Sequence, residues 1–199
     1  GPGVRALGHV LYHAVNTSEP KIVEFFTHIG VHISSGQVSN LLIKDQDRFH
    51  TEKDAVYEAG LRSSPWQHID ETGTRVNGVN QHCHVLCNPF YTAYLTTEKK
   101  DRLTVLDVLT HLGPRAYLLQ AQTYAWLEQA NVSASVLGRL QSLPQDKIFD
   151  DQRFSSLLDE HLADINVQHR RRILEAAAIT AYQLQQALPV VQLLISDDA

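Results

Sequence analysis

Over the first sixty positions, apolar residues recur at helical spacing. In VRALGHVLYHAV (residues 4–15), Val4, Leu7, Leu11 and Val15 mark one face of a helix. After NTSEP, with Ser18 suited to a cap and Pro20 to a first turn, KIVEFFTHIG carries Ile22, Phe25, Phe26 and Ile29 as a stripe that stops at Gly30. VHISSGQVSNLLIKDQDRFH then restarts a helix, with Ser34 or Ser35 as cap and Val38, Leu41 and Leu42 facing inward. The pattern continues through Phe49 and Val56 to about Gly60, which predicts one long second helix. Two helices joined by a short Gly-containing turn have the layout of a helix-turn-helix, so residues 1–64 are expected to form a helical, DNA-binding region.

From Pro65 the period falls to two. QHIDET reads as a strand, and TRVNGVNQHCHVLC as a hairpin turning at Asn77-Gly78. Asn88-Pro89 marks the next turn, FYTAYLTT a third strand, and Asp101 the cap of a helix with Val105, Val108, Leu109 and Leu112 inward. Residues 65–113 thus predict a three-strand antiparallel meander and a helix. Residues 114–187 read as all helix, near 116–130, 134–142, 152–164 and 167–187, with Ser133 and Asn166 as caps and Pro144 as a breaker. Pro189 ends this block. VVQLLISDDA, within residues 188–199, is an apolar run of the kind found in a parallel strand buried on both faces. The fold class is therefore mixed α/β.

Two of these strands end in acid. If the last strand lies parallel to the first and beside it, about 4.8 Å away, Asp70 and Asp197 reach one site at the carboxyl ends, where such sheets bind ligands. Carboxylates held that close repel, and a divalent cation relieves the repulsion. Mg²⁺ or Mn²⁺ suits all-oxygen ligands and leaves coordination positions for water and phosphate. Glu71 and Asp198 alternate to the opposite side of their strands. The plainer alternative is that these acids are ordinary turn residues.

With 43% hydrophobic and 20% charged residues the chain is globular, and no apolar run is long enough to span a bilayer. Cys83 and Cys87 are the only cysteines, which excludes a disulfide framework and points to a reducing compartment. The net charge of −5 disfavours nucleic-acid binding on average, although averages hide local patches. No G-x-S-x-G elbow is present, and nothing points to a small-molecule substrate.

Three segments in order, ISSGQVSNLL, IDETGTRVNGVNQHCHVLCNPFYTAYLTTEKKDRLTVLDVL and LLISDDA, resemble transposases of the insertion sequence 66 family. The resemblance implies an RNase H-like fold with an Asp-Asp-Glu triad, in which Asp70 is the first acid and Asp197 the second. It also implies Mg²⁺ or Mn²⁺, DNA ends and target DNA as partners, a homo-oligomer in the active complex, and a prokaryotic, nucleoid-associated cytoplasmic location. Two departures stand out. The helical block 114–187 is expected to be an inserted subdomain, and no third acid follows Ala199, so the chain is expected to be an incomplete fragment. The alternative is a transposon-derived DNA-binding or assembly module without catalysis.

Other residues carry weaker chemistry. On the helix SSGQVSNLLIK, Gln37, Ser39, Asn40 and Lys44 are expected to face outward; Gln and Asn can pair with adenine, and Lys44 can meet a phosphate. In HCHVLC, alternation separates His82 and His84 from Cys83 and Cys87, which argues against zinc and for cysteines buried in a sheet. The run Arg170, Arg171 and Arg172 reads as a solvated face pairing with Asp159, Glu160 or Asp164, with DNA backbone contact as the alternative. Tyr124 and Trp126 read as core.

Overall fold

A computed structural model describes residues 1–197 and divides the chain into two units, Gly1–Asp54 and Ala55–Ala199. In the first, α1 (Pro2–His9) runs into a π-helical turn at Val10–Ala14, followed by α2 (Glu19–His28) and α3 (Ser35–Ile43). Ile22, Phe26 and Val38 form its core, with Val4, Leu7 and Leu11 packed around them. The stripe read from the sequence is met only in part: Ile22 and Phe26 are buried, whereas Phe25, Ile29 and Val15 are exposed. Ser34 caps α3 through a reciprocal box: its Oγ accepts from Gln37 N, and its own N–H donates to Gln37 Oε1 at 3.0 Å.

The long second helix is not continuous. Lys44 turns to extended backbone, Asp45 takes φ 55°, and α4 (Asp47–Arg62) begins anew. Arg5 explains the break: its guanidinium donates to the carbonyls of Lys44, at 2.7 Å, and Asp45, at 3.3 Å, and pairs with the Asp45 carboxylate. Residues forty apart settle this boundary, so local periodicity could not reveal it.

The second unit is built on a sheet of order β3-β2-β1-β6. Strands β1 (Trp66–Val76), β2 (Val79–Asn88) and β3 (Tyr91–Thr97) form the expected antiparallel meander. Asn77 and Gly78 both have positive φ, as a two-residue hairpin turn requires. The last strand, β6 (Leu193–Ile195), is parallel to β1 as expected, but through three pairs only: Trp66 with Leu193, Gln67 with Leu194, His68 with Ile195. It is not buried on both faces. Leu193 is 56% and Ile195 36% exposed, because β6 is an edge strand and only Leu194 turns toward the core. One sheet face carries Gln67, Ile69, His84, Leu86, Tyr91 and Leu95 and packs on Tyr57, Leu61, Val108, Leu109 and Tyr182. Trp66, His68, Asp70, Cys83, Val85, Cys87 and Tyr94 lie on the other face.

Buried Asn88 ties the start of this sheet to α4. Its Nδ2 donates to the Gly60 carbonyl, Ser63 Oγ and Gln67 Oε1, and its Oδ1 accepts from Phe90 N at 2.9 Å. After β3, Asp101 caps α5 (Arg102–Leu109) by accepting from Thr104 N.

Residues 114–187 are not all helix. Besides α6 (Ala121–Gln129), α7 (Ala134–Gln141), α8 (Asp151–His161) and α9 (Val167–Leu184), they contain an antiparallel ladder of β4 (Ala116–Leu118) and β5 (Ile148–Asp150). Strands of three residues are too short to show a period of their own. Tyr117 of β4 stacks on Phe154 at 4.7 Å and donates to Asp151. The small residues Ala176, Ala177 and Ala178 let α9 approach β4 and α6 closely. No helix among the described residues is long and apolar enough to cross a membrane.

Candidate functional site

The end of β6 adjoins the start of β1, not its carboxyl end: β1 runs on to Val76, so Asp70 lies within the strand and not, as expected, at its end. His68 and Ile195 make the last bonded pair, and Asp70 and Asp197 each lie two residues beyond it. Both acids are exposed. Asp70 Oδ1 accepts from the Glu71 N–H at 2.7 Å, which leaves its second oxygen open. On the same face Trp66 and His68 meet edge to face at 5.3 Å. Among the described residues no group of three or more His, Cys, Asp or Glu is arranged to hold a metal. Asp70 belongs to β1, whereas Asp197 follows the end of β6. Asp198 and Ala199 lie outside the described residues.

Glu71 faces the other way, as alternation requires. Lys100 donates to its Oε1 at 2.8 Å, and this hydrogen bond holds the Glu71 carboxyl below its usual range. Opposite Glu71 in the ladder stands His84, which is buried. The Thr97 hydroxyl donates to the Lys99 carbonyl at 2.6 Å, so its oxygen accepts from His84 Nε2 at 2.8 Å. His84 therefore carries its proton on Nε2, and its Nδ1 is a buried acceptor without a partner among the described residues. The sequence contains no cue to the Glu71–Lys100 pair, whose members come from a strand and from a connection 29 residues later.

Register confirms that HCHVLC cannot converge: Cys83 opposes Thr72 and Cys87 opposes His68 on one face, while His82 and His84 occupy the other. The cysteines are half-buried free thiols, not fully buried as expected, because their face is the more open one.

The structure gathers three of the four residues expected to face DNA, two on α3 and Lys44 just past its end in extended backbone. Gln37, Asn40 and Lys44 line a groove of about 390 Å³ with Val4 and Arg5 of α1. Ser39 lies outside it and is half-buried. The Gln37 carbonyl oxygen is taken by the cap, whereas the Asn40 side chain is exposed. The connection from α2 to α3, residues 29–34, is longer than the roughly three- or four-residue turn of a helix-turn-helix.

The arginine run divides. Arg170 pairs with Asp159 at 2.7 Å, and Arg171 with Glu175 at 3.4 Å. Tyr124 donates to Gln145, and Trp126 is half-buried at the edge of the core, not inside it.

Among known proteins, the chain is similar to the uncharacterized protein y4jO of Sinorhizobium fredii, at 26% identity over 144 residues. The match covers 72% of this chain and 44% of y4jO, so the chain spans less than half the length of that relative. No family model and no solved structure matches the chain.

Proposed function

We propose that this chain is part of a DDE-type transposase of the insertion sequence 66 family, a metal-dependent enzyme that cleaves DNA and transfers strands. The observation that carries this reading is the parallel pairing of β1 with β6, in which Asp70 and Asp197 each follow the last bonded pair by two residues. In the reading, the meander and β6 are one part of an RNase H-like sheet, and 114–187 is an insertion between its third and fourth strands. The DNA ends and target are the substrates, the active complex is a homo-oligomer, and the setting is the nucleoid of a prokaryotic cytoplasm. The helical first unit contributes DNA contacts through Gln37, Asn40 and Lys44.

Asp70 and Asp197 would hold Mg²⁺ or Mn²⁺, which supplies an activated attacking oxygen and a stabilised leaving oxygen in phosphodiester chemistry. The chain's own part is positional. The Glu71 N–H fixes one oxygen of Asp70, and the Lys100–Glu71 pair keeps the neighbouring carboxylate turned away from the site. Mn²⁺ titration by calorimetry tests the reading: wild type is expected to bind, and Asp70→Ala to lose at least tenfold in affinity. Equal heats from both proteins, with DNA binding intact, would favour the second reading, a DNA-binding or assembly module without catalysis. What supports that alternative is that no third acid joins the pair among the described residues.

A further inference from the structure

Four of the 17 Lys and Arg residues of this acidic chain line one cavity. Between the start of α5, α6 and the first half of α9 lies a space of about 580 Å³, lined by Lys100, Arg102, Arg171 and Arg172 with Trp126. Two acids, Asp101 and Glu175, also line it, and both are committed to the protein. Asp101 accepts from Thr104 N and Thr104 Oγ1, each at 2.9 Å. Glu175, with a side chain 10% exposed, sits between Arg102 at 3.8 Å and Arg171 at 3.4 Å, which positions both guanidiniums. Lys100 is shared with Glu71.

One cation is left over. Arg172 is half-buried and has no hydrogen bond or ion pair among the described residues. The Trp126 ring lines the same cavity, while its indole N–H is closed off in the protein interior with no acceptor among the described residues. The four cations of the lining stand against Asp101 and Glu175, and Glu71 takes up Lys100, which leaves a local excess of one positive charge in a chain of net −5.

We infer that this cavity is a phosphate-binding site, with Arg172 as the principal donor, Lys100 and Arg102 as supporting charges, and the Trp126 ring as part of its wall. Only the source of the phosphate, the backbone of DNA, rests on the function proposed above. Arg is favoured for such an oxyanion because its planar fork can donate two hydrogen bonds at once.

The test uses the full chain with Trp66→Phe, so that Trp126 is the only indole. Titration with inorganic phosphate and tripolyphosphate is expected to change its fluorescence saturably, and Arg172→Gln to weaken that response at least tenfold. Anisotropy of a labelled duplex, measured across salt concentrations, gives the second arm. If DNA is the source, Arg172→Gln and Arg102→Gln each lower the salt slope by about 1, and tripolyphosphate competes with the duplex. If phosphate binds but neither variant alters DNA affinity, the source is a free phosphate compound and the site stands. No response to any of the three probes, or an Arg172→Gln protein that responds like wild type, would overturn it. Neither arm depends on metal or cleavage, so a failure at Asp70 is separable from a failure here.

Discussion

His68 stands opposite Ile195 in the last bonded pair of the parallel ladder, and two residues further along each chain segment come Asp70 and Asp197. The β1–β2 register places Asp70 opposite Val85 and Glu71 opposite His84, so the two neighbouring acids belong to different faces. That difference makes them separable by mutation. Asp70→Asn and Asp197→Asn are each expected to abolish stabilisation by Mn²⁺. Saturation at a hundred times the dissociation constant stabilises a folded protein by about 2.7 kcal/mol. Glu71→Gln is expected to keep this response while losing the ion pair to Lys100. Thermal unfolding with and without Mn²⁺ measures all three. A Glu71→Gln loss equal to that of Asp70→Asn would move the site to the other face.

Gly60 gives a prediction whose sign packing decides. Alanine in a helix is normally favoured over glycine by about 1 kcal/mol. A Cβ on Gly60, however, meets the Tyr91 ring at 2.4 Å, and Tyr91 is 9% exposed between α4 and the sheet. Forcing a methyl group into a packed core costs about 1–3 kcal/mol. The clash outweighs the propensity over most of that range, so Gly60→Ala is expected to lower stability by up to about 2 kcal/mol net. Urea unfolding followed by circular dichroism checks it, and an unchanged midpoint would show that the ring moves aside freely.

Much of this fold was legible because its determinants are local. Asn77-Gly78 needs only its own two positive φ values to make a hairpin, and the Asp101 and Asn166 caps need only the N–H three residues on. What was not legible is decided at a distance. The break at Asp45 depends on Arg5, and β4 becomes a strand because Tyr117 finds Phe154 and Asp151. The apolar residues of β6 looked doubly buried, yet an edge strand leaves Leu193 and Ile195 exposed. Of the site, Asp70 was expected at a strand end, yet pairing with β2 carries β1 on to Val76 and leaves Asp70 within the strand. The Arg172–Trp126 cavity was not legible, since it exists only once α6 packs on α9.

His9 makes the first unit sensitive to acid. Burial lowers its pKa below the usual 6.5, the charges of His13 and Arg5 lower it further, and a backbone hydrogen bond at Leu41 opposes them in part. The folded value lies below the unfolded one, so folding favours the neutral ring. That stability is fully present above about pH 6.5 and is lost as pH falls through the folded value. The slope cannot exceed about 1.4 kcal/mol per pH unit from one group. Amide exchange at Ile22, Phe26 and Val38 between pH 7 and 5, corrected for intrinsic rates, is expected to show falling protection. His9→Gln should flatten the profile, and His13→Gln should reduce its steepness without abolishing it. A profile that is flat in wild type would remove His9 from the account.

The face of α3 separates structure from recognition residue by residue. Gln37 holds half of the capping box, so Gln37→Ala is expected to cost up to about 1 kcal/mol of stability whatever it does to DNA. The Asn40 side chain is exposed and forms no hydrogen bond among the described residues, so Asn40→Ala is expected to leave stability within about 0.5 kcal/mol of wild type. If Asn40 reads an adenine, the same change weakens binding to the preferred duplex by about 1–3 kcal/mol and relaxes selection at one base pair. Lys44→Ala is expected to weaken all duplexes alike and lower the salt slope by about 1. Ser39, half-buried outside the groove, is expected to contribute little. Selection from a random duplex pool, followed by anisotropy on the winning sequence, distinguishes these outcomes. Binding that is indifferent to Asn40 and Lys44 but sensitive to Ser39 would place the DNA on the other side of α3.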